Sequence, residues 1–238
     1  MPEMEIGKID VDVLKGVMTE ILADPTYKEN VTELNDDELD IFNMDIYDLL
    51  RLDMRERTVD TVYAKYHKAL LFGCMRAKQM LAVSFTGSDG TAGFGATRIR
   101  PEHVENSSNT QMTTWKMTPT SAGWQNHIAN STTPHKITND AFGTMVIVGL
   151  GTFLANPNVT AYKFNYQGSD KAVQYIEHTF RNSELQIYPL SNPILYARDE
   201  EIYSRMKVAT ANQPVELFWI GISYAKISWL RAETPSHT

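Results

Sequence analysis

The apolar residues of this chain keep one period before Ala82 and another after it, and that switch limits the folds open to it. Before it, Val13, Leu14, Val17, Met18, Ile21 and Leu22 fall on one stripe of a repeat of about 3.6 residues, the mark of an amphipathic helix. Asp12 suits the N-cap of that helix, and Pro25 ends it. A second helix is expected to start near Asn35 to Asp37, where acidic residues meet the positive end of the dipole. It breaks near Asn43 and resumes through Ile46, Leu49, Leu50, Asp53 and Met54. Thr58 caps a third, which runs from Val59 through Val62, Tyr63, Tyr66 and Leu70 to about Met80.

After Ala82 the chain turns rich in Thr, Ser, Asn, Gly and β-branched or aromatic residues, and alternation by two appears. Thr160, Tyr162, Phe164 and Tyr166 share one face of a strand, with Ala161, Lys163 and Asn165 on the other. Gln111 to Met117 alternates in the same way. Thr144 to Leu154 is apolar on both faces, as in a buried central strand, and Gly149 and Gly151 predict a bend or bulge within it. Ile194–Ala197, Ile202–Ala209 and Pro214–Trp229 read as further strands, the last long enough for two. Turn clusters at Asn156-Pro157-Asn158, Gly168-Ser169-Asp170, Asn192-Pro193 and Asn212-Gln213-Pro214 are expected to separate these runs. The reading is α+β: an N-terminal helical region over 1–81, then an antiparallel, jelly-roll-like β-sandwich over 82–238 with long polar loops at about 87–140. No strand–helix alternation supports a parallel sheet.

Charge follows the same division. Residues 1–60 hold 17 acidic and 6 basic residues, whereas the remainder carries a net +4 within an overall −7. The acidic third reads either as a solvated helical face or as a surface that docks the basic part of a neighbouring copy. In the second case, opposite potentials steer assembly. An overall charge of −7 makes nucleic acid an unlikely dominant partner. The longest apolar run, Met145 to Leu150, is far short of the ~20 residues of a membrane helix. The first ten residues lack the basic and apolar regions of a secretory signal.

Motifs for chemistry are few. The loop Gly87–Gly95 has neither the dinucleotide-binding nor the P-loop spacing. The acidic run from Asp36 to Asp48 lacks the glycine and terminal glutamate of a calcium loop. The six histidines show no H-x-H, H-x-x-x-H or H-E-x-x-H spacing, so a metal site would need distant segments. No cofactor or metal is therefore expected. A scattered enzyme site from Glu102, His103, His127 and His135 is the weakest alternative. Cys74, the one cysteine, falls in an apolar helix segment and reads as a buried thiol. Trp219 and Trp229 read as core. Trp115 and Trp124, in the polar stretch, are interface candidates together with Asp36, Asp37 and Asp40. Asn30, Asn106, Asn130 and Asn158 each open an N-x-S/T sequon, read as unmodified.

Leu190 to Val208, followed by Pro214 to Tyr224, resembles the closing strands of virion coat-type β-sandwich proteins over about residues 160–231. The shared order is a Pro-Ile-apolar strand, an acidic turn, an alternating strand and an apolar strand ending in Gly-Ile. The resemblance implies a structural subunit of a viral particle without catalysis. Such a subunit is made in the host cytoplasm and assembles with many copies of itself and with other virion proteins. The alternative is a carbohydrate-binding or host-attachment β-sandwich module.

Overall fold

The computed structural model describes residues 62, 66–81, 93–152, 154, 157–176 and 186–238. The first two expected helices, with Asp36, Asp37 and Asp40, lie outside these residues. The third is present. Val62 is helical, and α1 spans His67–Leu81.

The strands are β1 (Phe94–Arg98), β2 (Lys116–Met117), β3 (Gly123–Ile128), β4 (Phe142–Thr152), β5 (Val159–Tyr166), β6 (Ser169–Asp170), β7 (Gln174–Tyr175), β8 (Gln186–Ala197), β9 (Ile202–Val208), β10 (Val215–Glu216) and β11 (Phe218–Lys226). A short helix, α2 (Ile227–Arg231), closes the series. All pairings are antiparallel. One large sheet has the order β1-β11-β4-β8; the second runs β3-β9-β5, with β6 and β7 on the far edge of β5, and β10 pairs with β2 in a separate two-stranded ribbon. Successive long strands switch sheets: β3, β5 and β9 lie in the second, and β4, β8 and β11 in the first. That crossing pattern is a jelly roll.

Between the sheets lies the main core. Its members include Met145, Ile147 and Leu150 from β4, Tyr162 and Phe164 from β5, Met206 from β9 and Trp219 from β11. The opposite face of the first sheet is covered by α1. Leu70, Leu71, Cys74 and Met75 pack there on Val146, Val148, Ile220, Ile222 and Tyr224. This second layer explains why β4 is apolar on both faces: all of its 11 residues are buried. The expected irregularity is also there, as a register shift between Ile147 and Gly149 against β8.

The polar stretch is more ordered than its composition suggests. β1 begins at Phe94, inside the glycine-rich segment, and β3 lies within the Asn- and Ser-rich one. Both are edge strands, and β1 has no fully buried residue. An edge strand with a half-solvated face needs little apolar alternation. At the other end, the run from Pro214 divides into β10, β11 and α2, and Trp229 sits in the helix rather than in a strand.

Candidate functional site

Register places a set of side chains on the outer face of the second sheet. Tyr162 and Phe164 point into the core, so Ala161, Lys163 and Asn165 point outwards. Across the sheet, Trp124 pairs with Lys207, Lys207 with Ala161, and Ala161 with Tyr175. One rung thus carries an aromatic residue at each end. Tyr175 is 60% exposed, and Trp124 is half-buried. The next rungs add Asn126, Arg205 and Lys163, then Asn165 and Asp170.

These groups are already organised. The Lys163 ammonium lies 5.5 Å from the centre of the Trp124 ring and 3.1 Å from an Asp170 carboxylate oxygen. Asn165 donates to the same carboxylate at 2.8 Å, and Arg205 donates to the Trp124 carbonyl at 3.1 Å. Hydrogen bonds from Asn165 and Lys163 hold the Asp170 carboxyl below its usual range. Three cations against one carboxylate leave the face positive. Trp115, the other expected interface tryptophan, is half-buried against the core, 6.4 Å from the His127 ring. The structure therefore does not bring Trp115 and Trp124 together on one surface.

A second polar feature is internal. Tyr162 donates to Ser204 Oγ at 2.6 Å, receives Trp219 Nε1 at 2.9 Å and meets His127 Nδ1 at 2.7 Å. Burial lowers the His127 pKa to about 4 and raises that of Tyr162. His127 Nε2 has no hydrogen-bond partner. This network ties the two sheets together through side chains that face no solvent.

The third feature gathers Glu105, His135 and His237. Glu105 follows the turn Pro101–His103, and His135 is bridged to Ile202 at the start of β9. His237 lies in the segment after α2, which folds back over the sandwich end. There Thr138 N donates to the His237 carbonyl at 2.7 Å, and Trp229 Nε1 donates to Ser236 O at 2.7 Å. Gln111 Nε2 donates to Pro235 O at 2.8 Å. His237 Nδ1 stands 3.2 Å from one Glu105 oxygen, and His135 Nδ1 stands 3.5 Å from the other. The two imidazoles beside it pull the Glu105 carboxyl down to about 2. His103 is adjacent, its ring 4.8 Å from that of Trp229, and burial with the neighbouring Arg100 lowers its pKa to about 3. Of the scattered residues named from the sequence, His103 and His135 thus meet at one end of the sandwich, joined by Glu105 and His237. His127 stands apart, in the core. Local spacing carried no signal for this cluster because its members come from three separate segments.

Comparison with known proteins corrects the expected kinship. No protein-family model matches the chain, and no curated protein matches it. Among solved structures, it is similar to the CBM36-1 domain of a multidomain xylanase from the hindgut metagenome of Trinervitermes trinervoides. Identity is 11% and the TM-score 0.23, over 55% of this chain and 97% of that one. None of these comparisons returns a virion coat protein, so the expected kinship with coat-type sandwiches is withdrawn. The fold supplies the physical reason. A Pro-Ile-apolar strand, an acidic turn and an alternating strand describe β8, Asp199–Glu200 and β9, and they record one-sided burial, which many unrelated sandwiches share. A TM-score of 0.23 carries no argument of its own, and the fold stands on strand order.

Proposed function

We propose that this chain is a non-catalytic binding module that holds a polysaccharide on the outer face of its second sheet. The observation that carries the reading is the rung Trp124–Lys207–Ala161–Tyr175, with aromatic rings at both ends and the small Ala161 between. Sugar rings present C–H faces that stack on aromatic side chains, and hydroxyls that need polar partners. Asn126, Asn165, Arg205 and Asp170 lie on neighbouring rungs and supply such partners. Three strand spacings separate the two rings, roughly 14 Å, which suits an extended chain rather than a single sugar. The excess of Lys163, Arg205 and Lys207 over Asp170 favours a polysaccharide bearing carboxylate groups.

Affinity electrophoresis in gels containing polygalacturonate or a neutral xylan tests this. Retardation is expected in the acidic gel, weakening as salt rises. Trp124→Ala and Tyr175→Ala should each weaken retention about tenfold without changing the circular dichroism spectrum, as loss of a ring contact of ~1–1.5 kcal/mol predicts. Equal mobility in both gels, or variants that bind like the parent, would defeat the proposal. So would light scattering that finds a megadalton particle instead of a small species.

A further inference from the structure

We propose that Glu105, His135 and His237 form a binding site for a divalent cation of the zinc class, independent of the glycan face. One potential ligand atom from each residue lies within 4.8 Å of the others. A tetrahedral site with bonds of about 2.0–2.1 Å has ligand–ligand edges of about 3.3 Å, so closing around an ion asks only for small movements. Each imidazole already has one oxygen of Glu105 near that separation, His237 Nδ1 at 3.2 Å from one and His135 Nδ1 at 3.5 Å from the other.

Proton placement makes the same point. His237 Nε2 lies 3.2 Å from the Glu102 carbonyl oxygen, which can only accept. Nε2 therefore carries the proton. That leaves Nδ1 as the ring atom placed to ligate, 3.2 Å from a Glu105 oxygen. His135 is less well satisfied. It is fully buried, and neither of its ring nitrogens makes a hydrogen bond. One cation between the three residues gives the His135 ring a partner and engages His237 Nδ1 and the carboxylate together.

The donor set selects the class of ion. Two nitrogens and one oxygen suit zinc or a similar borderline metal, whereas calcium and magnesium take oxygen ligands almost alone. The Glu102 carbonyl on His237 Nε2 is the outer contact that usually orients a ligating histidine. The three ligands come from the turn after β1, the segment between β3 and β4, and the segment after α2, so an ion would fasten that last segment to the sandwich.

The full chain, stripped with chelator and dialysed against zinc, should retain one molar equivalent by elemental analysis, and its thermal midpoint should rise. Chelator should reverse the rise. Cobalt(II) should give the intense visible bands of a tetrahedral site. Glu105→Gln and His237→Gln should each weaken zinc affinity at least tenfold, while His127→Gln, a buried histidine outside the cluster, should retain it. His237 lies outside both sheets, so its replacement keeps the test open if Glu105→Gln misfolds. Less than a tenth of an equivalent bound by the parent chain, with an unmoved midpoint, overturns the proposal. Equal zinc binding by the parent and both ligand variants overturns it too, because the ion would then sit elsewhere.

Discussion

A single buried imidazole sets part of the response to acid. His127 is enclosed, with its pKa lowered to about 4 by burial, against about 6.5 in an unfolded chain. Between those values the unfolded chain takes up a proton that the folded chain refuses. Stability is therefore full above about pH 6.5 and falls as pH drops towards 4, by about 1.4 kcal/mol per unit. Urea unfolding should show a loss of roughly 2 kcal/mol from this residue between pH 6.5 and pH 5. His127→Gln should be less stable at pH 7 but flatter across that window; an equally steep profile would show that His127 is not responsible. Other residue-level features were legible beforehand. Trp219, Trp229 and Cys74 are buried, as their apolar surroundings implied. The sequons gained an explanation only from the structure. The amide oxygens of Asn106 and Asn130 accept backbone N–H groups two to four residues on, in turns, and that of Asn158 accepts Thr210 N from a distant segment, so these asparagines have structural work that sequence alone attributes to chance.

At the level of elements, the decisive contact is that of α1 on β4 and β11. A Cβ added at Gly73 would come within 2.1 Å of a Val146 methyl, so the helix approaches the sheet at van der Waals limit there. Two effects of Gly73→Ala oppose each other. Alanine favours the helix by about 1 kcal/mol, while overpacking costs about 1–3 kcal/mol. The clash is with a stiff β-branched side chain, so the net change should be destabilising, read as a lower denaturation midpoint. Gly143→Ala should cost more, because its Cβ would meet Ala77 at 2.6 Å and backbone atoms at 3.0 Å. A Gly73→Ala chain more stable than the parent would mean that α1 is free to shift. Strands buried on a repeating face were readable: β9 alternates as its sequence does, and β5 turns Tyr162 and Phe164 to the core. β1 and β3 were not, since edge strands place polar and aromatic residues where the solvent is. The aromatic rung on β3, β5, β7 and β9 was legible only in part. Trp124 stood out in a polar stretch, but its partner Tyr175 depends on strand pairing, which no local pattern reveals.

For the molecule as a whole, the sandwich architecture and the absence of strand–helix alternation followed from periodicity, whereas strand order did not. The first sheet joins β1 to β11 and β4 to β8, and every such pair closes a long stretch of chain. Contacts of that kind are formed late, because loop-closure entropy must be met before they give any return. Refolding followed by tryptophan fluorescence should take milliseconds to seconds, with buried Trp219 and Trp229 as reporters. A microsecond phase carrying the whole amplitude would contradict it. No helix among the described residues is long and apolar enough to cross a membrane.

The position of β11 also has a consequence in time. It lies between β1 and β4, although some 120 residues of chain separate it from β1. On the ribosome, β1 and one side of β4 are made early and must wait for that strand to emerge. During the wait, both carry unpaired backbone edges beside apolar side chains. The nascent chain is thus most vulnerable to mispairing just before its synthesis reaches Phe218, and a pause or a chaperone contact at that stage would matter more than one at any earlier point.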